Sequence, residues 1–140
     1  MSRWRRLGFS FLSALAADLI VAFFTLLKDN PHFNLVVLAS MTSWFLLLVI
    51  PGWLTALPFV IFIDATRVQR LWFLAVAGFL IGPLLIFALA GYTEWQKPGA
   101  TWSHGSLEFL YIATGISFLA TAFYLTSVKL YSRRRIQPTT

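Results

Sequence analysis

Four long apolar stretches, separated by short polar breaks, constrain the fold of this 140-residue chain more than any other feature. Each stretch reaches the roughly 20 residues that a helix needs to cross about 30 Å of hydrocarbon. Only α-helices and closed β-barrels satisfy their backbone hydrogen bonds in lipid, and barrel strands alternate in polarity rather than staying apolar throughout. The sequence therefore predicts an all-α membrane protein, a four-helix bundle in a single domain, 1–140. The predicted spans are 7–27, 35–60, 71–90 and 107–128, followed by a basic tail, 129–140.

Composition excludes several other classes of protein. The chain is 59% hydrophobic and 11% charged, against roughly 45–50% and about 25% in soluble domains. It contains no cysteine, which excludes disulfides, thiolate nucleophiles and cysteine-held metal clusters. It also contains no phosphate-binding glycine loop and no serine-nucleophile motif. We therefore expect a protein that is not an enzyme and binds no cofactor.

The placement of basic residues predicts the orientation in the membrane. Three segments that four spans bring to the same side hold nine of the eleven basic residues: Arg3, Arg5, Arg6, Arg67, Arg70, Lys129, Arg133, Arg134 and Arg135. The other two loops hold only Lys28 and Lys97. The positive-inside rule assigns the basic side to the cytoplasm, so both termini are predicted to be cytoplasmic in a cell's inner membrane. This arrangement accounts for the charge of +6 without nucleic acid as a partner.

The first and last spans have competing interpretations. The segment Met1–Ala16 is similar to a secretory signal peptide, but cleavage there would leave too short a span, so we expect an uncleaved helix.

The basic run Arg133–Arg135 after the last span could attract anionic lipid at about 1 kcal/mol per residue. Its simpler predicted role is to anchor the orientation of the last helix.

The second span is longer than a membrane requires and contains two prolines. As a continuous helix, the apolar run 35–63 would be roughly 43 Å long at 1.5 Å per residue. Proline removes a backbone donor and disturbs the preceding helical turn. We therefore predict a helix that is kinked or broken at Pro51-Gly52, with a second weak point at Pro58. A kinked ordinary span and a broken helix lining a cavity both remain open.

Asp18 is the most informative single residue, because it lies near the centre of the first span. An aspartate there costs about 2.5–3.5 kcal/mol, roughly half of what the twelve Leu, Ile, Phe and Val residues of that span return. Intramembrane carboxylates are often proton or cation relays. The alternative is a polar clasp that ties the first helix to hydroxyl groups on another helix or subunit. A polar stripe on the fourth span supplies partners for either role: Thr114, Ser117 and Thr121.

A second group of polar residues is predicted on the outer surface. His104 and Glu108 are four residues apart at the start of the fourth span, and His32 lies in the other outer loop. Imidazole and carboxylate groups are suitable ligands for zinc or a similar divalent ion. The alternative is that they are ordinary solvated loop residues.

The layout of four short spans with one carboxylate in the first resembles that of the small multidrug-resistance exporters. The resemblance implies proton-coupled export that uses Asp18. The chain departs from that pattern in its longer loops, its basic tail and its strong charge bias, and no family is assigned.

Together these features predict a non-enzymatic polytopic inner-membrane protein that lies in the lipid bilayer. The leading hypothesis is an accessory or structural subunit that packs against another membrane protein or forms a homo-oligomer. The second is a small proton- or cation-coupled transporter that uses Asp18.

Overall fold

The structure is a computed structural model that describes residues 2–29, 34–63, 68–95 and 104–134, with side chains for 2–28, 34–63, 70–89 and 105–133. The described chain forms four α-helices: α1 (Arg3–Asp29), α2 (Leu35–Phe62), α3 (Val68–Trp95) and α4 (His104–Arg134). Each of the four is long and apolar enough to cross a membrane. The predicted all-helical architecture with four membrane-spanning candidates is confirmed.

All four helices are longer than the apolar stretches that predicted them. They contain 27, 28, 28 and 31 residues, so each is roughly 40 Å or more in length at 1.5 Å per residue. This exceeds the roughly 30 Å of hydrocarbon. The excess length that the sequence suggested for the second span is therefore shared by all four described helices.

The second helix is continuous through both of its prolines. α2 begins after Asn34, whose side-chain oxygen accepts a hydrogen bond from the backbone N–H of Val36 at 2.9 Å. It then runs without interruption through Pro51 and Pro58 to Phe62. The hydroxyl of Thr55 donates to the carbonyl oxygen of Pro51 at 2.8 Å. A bend at Pro51-Gly52 remains a prediction.

Consecutive helices run antiparallel, which brings the start of α1, the end of α2, the start of α3 and the end of α4 to one end of the bundle. A core cluster there joins all four helices, with Val60, Leu74, Tyr124 and Val128 packed around Leu7 and Phe9. The basic side chains described at this end are Arg3, Arg5, Arg6, Arg70, Lys129 and Arg133, whereas Lys28 lies at the opposite end. We call the end of the bundle with these six basic side chains the basic end.

Packing between the helices is uneven. α1 packs along both α2 and α4, and α4 packs along α3. By contrast, α2 and α3 make few contacts, and the backbones of α1 and α3 do not approach each other closely within the described residues. A second core cluster, toward the other end, contains Ala17 and Ala22 of α1, Phe45 of α2 and Ile116 of α4, but no residue of α3. α3 is therefore attached to the bundle mainly through α4.

The contact between α3 and α4 depends on two glycines one helical turn apart. A side-chain carbon at Gly78 would meet Thr121 of α4, with its methyl carbon 2.9 Å away. A side-chain carbon at Gly82 would meet Ser117 and the carbonyl group of Ala113, whose carbon would be 3.0 Å away. Close approach of small residues is a common basis for helix association in membranes. Here the glycine face of α3 packs against α4 of the same chain, not against a second chain.

Candidate functional site

Asp18 is completely buried within the bundle. Its exposed fraction is 0%, and it shares this level of burial with Ala17 and Ala22 on the same helix. The buried residues of α1 around it pack against Phe45 of α2 and Ile116 of α4. Because no surface of Asp18 is accessible, a second chain cannot touch the carboxyl group while the helices keep this packing.

The carboxyl oxygens of Asp18 accept no hydrogen bond from any residue that the structure describes. The hydroxyl groups predicted to bind them are used otherwise: Thr114 donates to the carbonyl of Leu110 at 2.7 Å, and Thr121 donates to the carbonyl of Ser117 at 2.7 Å. Such bonds to the preceding turn are the usual way in which hydroxyl side chains are satisfied inside a helix. The clasp between Asp18 and the α4 stripe is therefore not formed in this structure.

A groove lies between α2 and α3, where the two helices pack less closely than the other neighbouring helices, and it contains a cavity of about 110 Å³. Residues of α1 and α4 also line it. Small residues from three helices are among those that line it: Gly52 and Ala56 on α2, Gly78 and Gly82 on α3, and Ala113 and Ala120 on α4. We call this feature the α2–α3 groove.

Three of the polar groups that line the α2–α3 groove donate hydrogen bonds within the protein. The indole N–H of Trp53 donates to the hydroxyl oxygen of Ser10 at 3.1 Å, and the hydroxyl of Ser10 donates to the carbonyl of Leu7 at 2.8 Å. Thr121 donates to its own helix, as described above. Since none of the described lining residues carries a charge, the groove offers a largely apolar surface to an occupant.

Asp18 and the α2–α3 groove are separate features. Ser10 and Ala14 are the residues of α1 that line the groove, and Asp18 lies one helical turn beyond Ala14. The carboxyl group is not part of the lining. The structure therefore does not bring the predicted coupling residue into contact with the cavity, although Ser117 and Thr121 of the α4 stripe do line it.

At the basic end, arginines of α1 contact two other helices. Arg5 donates a hydrogen bond to the hydroxyl of Tyr131, with its guanidinium carbon 5.6 Å from the centre of that ring. Arg6 donates to the carbonyl oxygen of Ile63, just after α2, at 3.5 Å. These contacts join the start of α1 to the ends of α2 and α4.

The predicted anchor at the end of α4 is described only in part. Arg133 is exposed, which suits a group that contacts the lipid surface. Arg134 is the last residue of the helix, and its side chain and all of Arg135 lie outside the described residues. The anchoring role remains a prediction.

The predicted metal site falls mostly outside the described part of the chain. His32 is not described, and His104 begins α4 without a described side chain. Glu108 is exposed on the first turns of α4. Within the described residues there is no group of three or more potential ligands. The site remains a prediction.

Sequence reasoning did not identify the α2–α3 groove. One signal was present: Gly52 and Ala56 are four residues apart and place two small side chains on the same face of α2. The prediction for this segment concerned its backbone instead, as a kink or break at Pro51 and Pro58. Spacing within one helix could not show that α2 and α3 make few contacts, because that depends on both helices.

Comparison of the chain with known protein families, curated proteins and solved structures finds no match. The chemistry of its own residues is therefore the basis for assigning it a role.

Proposed function

We propose that this protein is a non-enzymatic, polytopic inner-membrane protein that serves as an accessory or structural subunit. It packs laterally against another membrane protein or against its own copy. The observation that supports this proposal is the position of α3, which is attached to the bundle mainly through α4.

The third helix leaves most of its surface for contacts outside the chain. In its apolar stretch 11% of the residues are buried, the lowest share among the four described helices, against 17% in α2 and in α4 and 39% in α1. Phe73, Leu84 and Phe87 are exposed along α3. Lateral association in membranes depends on van der Waals packing of such surfaces. α3 is therefore the helix that we expect a partner to cover.

Photocrosslinking from α3 tests this proposal in native membranes. The chain has no cysteine, so Leu84→Cys provides a unique site for a benzophenone label. We expect illumination to produce one discrete crosslinked protein species, because the label would lie at the interface. Mass spectrometry of that species identifies either a partner or a second copy of the chain.

Leu19→Cys on α1 is the matched control. Leu19 and Leu84 are each the seventeenth residue of their helices, counted from the basic end. Their exposed fractions are similar, 50% and 60%. The control is expected to give lipid adducts only. Lipid adducts from both positions, or the same protein species from both, would contradict the assignment of α3 as the contact helix.

The burial of Asp18 supports a second candidate function, a small proton- or cation-coupled transporter. A carboxyl group buried in a span without a hydrogen bond from any described residue is unusual for a purely structural role. The groove favours the first proposal, however, because its lining does not include Asp18. A relay needs polar groups that connect the carboxyl to one side of the membrane.

Cysteine accessibility tests the proposed orientation, with both termini in the cytoplasm. Ser2→Cys at the basic end should be protected from an impermeant thiol reagent in intact cells. Gly105→Cys at the opposite end should react, since a side chain there meets no atom within 4 Å. The reverse pattern would place the basic end outside and overturn the orientation.

A further inference from the structure

We propose that the α2–α3 groove binds an anionic phospholipid, with part of an acyl chain in the cavity and the phosphate at the basic end near Arg6 and Arg70. This inference goes beyond the proposed function, because it concerns a ligand that binds the chain with or without a protein partner.

The size of the cavity selects the type of occupant. Its volume is about 110 Å³, whereas a transmembrane helix has a diameter of about 10–12 Å with its side chains. An apolar cavity of about 150 Å³ is large enough to bind benzene. The groove is therefore too narrow for a partner's helix but accommodates several methylene groups of a lipid chain.

The chemistry of the lining favours a hydrocarbon over a polar solute. Hydroxyl groups of Ser10 and Thr121 donate to carbonyl oxygens of their own helices, and the indole of Trp53 donates to Ser10. These three donors are therefore already used within the protein, and the lining carries no charged side chain in the described residues. Most of the other lining residues are apolar, among them Gly52, Ala56 and Leu85. An acyl chain that moves from the bilayer into the groove therefore breaks few hydrogen bonds.

The depth of the groove matches one leaflet. On α2 its lining extends from Val60 to Leu48, which lie roughly 3 Å and 21 Å from the end of that helix at 1.5 Å per residue. On α3 the lining begins at Leu74, near the start of the helix. If the headgroup of a lipid lies at the basic end, its acyl chains therefore lie at the depth of the groove.

Charge at the mouth of the groove selects the headgroup. Arg70 is exposed near the start of α3. The guanidinium of Arg6 lies beside the end of α2, where it donates to the carbonyl of Ile63. Arg6 and Arg70 each lie about one helical turn before a lining residue of the same helix, Ser10 on α1 and Leu74 on α3. Guanidinium groups match the geometry of phosphate oxygens, and their positive charge favours a headgroup that carries no cation of its own. The headgroup that fits is an anionic one, such as that of phosphatidylglycerol.

The test uses the full chain alone, reconstituted in vesicles of equal parts phosphatidylglycerol and phosphatidylcholine. After extraction in mild detergent, native mass spectrometry counts the lipids retained per chain. We expect one retained lipid, with phosphatidylglycerol preferred by roughly 25-fold at about fivefold for each of two arginines. Failure of this test leaves the crosslinking result for α3 unaffected, so the two proposals fail separately.

Two kinds of variant test the two parts of the proposed site separately: the cavity that holds the acyl chain and the arginines that bind the headgroup. Gly52→Leu fills the cavity and should abolish retention of both lipids; a first carbon there meets only Ile81, at an ordinary 3.9 Å. Gly8→Leu is its control, because a side chain at Gly8 meets nothing within 4 Å. Arg6→Gln with Arg70→Gln should remove the preference for phosphatidylglycerol, while Lys28→Gln at the other end preserves it.

Several outcomes would overturn the proposal. They are equal retention of both lipids by the wild-type chain, unchanged retention in Gly52→Leu, and an unchanged preference in the double arginine variant. If Gly52→Leu loses its helical circular dichroism, Ala56→Phe fills the same cavity and decides the question. The exposed Arg70 can also be changed alone, and Arg70→Gln should then lower the preference about fivefold without touching either the cavity or the contact between Arg6 and Ile63.

Discussion

Gly82→Ala should lower the free energy of unfolding by about 2 kcal/mol, the middle of the range for overpacking a tight interface. The new carbon would lie 3.0 Å from the carbonyl carbon of Ala113 and closer still to its oxygen. Because these are backbone atoms of α4, the two helices would have to move apart to admit it. Denaturation with sodium dodecyl sulfate in mild micelles, followed by circular dichroism, measures the loss.

Two other glycines give the prediction a graded control. Gly78→Ala should cost about 1 kcal/mol, at the lower end of the overpacking range, since it meets the side chain of Thr121, which can rotate. That rotation gives up the hydrogen bond from Thr121 to Ser117. Gly8→Ala meets nothing and should change stability by no more than roughly 0.5 kcal/mol. Equal effects at Gly82 and Gly8 would show that α3 does not pack on α4 through these glycines.

Asp18→Leu should favour insertion of α1 into the membrane by about 3 kcal/mol. An aspartate at the centre of a span costs about 2.5–3.5 kcal/mol and a leucine returns about 0.3–0.6 kcal/mol. No hydrogen bond to a described residue is lost, because the carboxyl oxygens accept none. Insertion of an α1 segment with a glycosylation site on each flank measures this change.

Asp18→Asn separates the two candidate functions. It keeps the size of the side chain but cannot exchange a proton. Under the proposed subunit function, this variant and Asp18→Leu keep the Leu84 crosslink, since α3 is attached to the bundle mainly through α4. Loss of proton-coupled uptake in vesicles with Asp18→Asn, from a wild type that shows it, would establish the transporter instead. Loss of the crosslink in Asp18→Leu but not in Asp18→Asn would instead support the hypothesis that Asp18 is a polar clasp between helices or subunits.

Much of the fold could be predicted because the chain's solvent is lipid. Continuous apolar stretches identify spanning helices without any knowledge of tertiary contacts. The ends of the helices could not be predicted from apolarity, because residues such as Arg3 and Trp4 continue α1 past the apolar stretch. Polar residues end a hydrophobic run well before they end a helix.

The candidate site was less predictable. The central position of Asp18 in its span and its burial follow from spacing, and the structure agrees on both. Its hydrogen bonds do not follow, because Thr114 and Thr121 can satisfy their hydroxyls within α4 at no cost in packing. The α2–α3 groove depends on how two separate helices diverge, which no pattern within either helix records.

The pattern of helix contacts has a consequence for synthesis. α1 and α2 pack on each other and can pair as soon as both have left the ribosome. α3 emerges next, but its main neighbour is α4, which is made last. During elongation α3 therefore has only its few contacts with α2 until α4 is made, and a chain truncated before α4 lacks the main packing partner of α3 altogether. Final assembly is then the docking of two hairpins through α1 and α4.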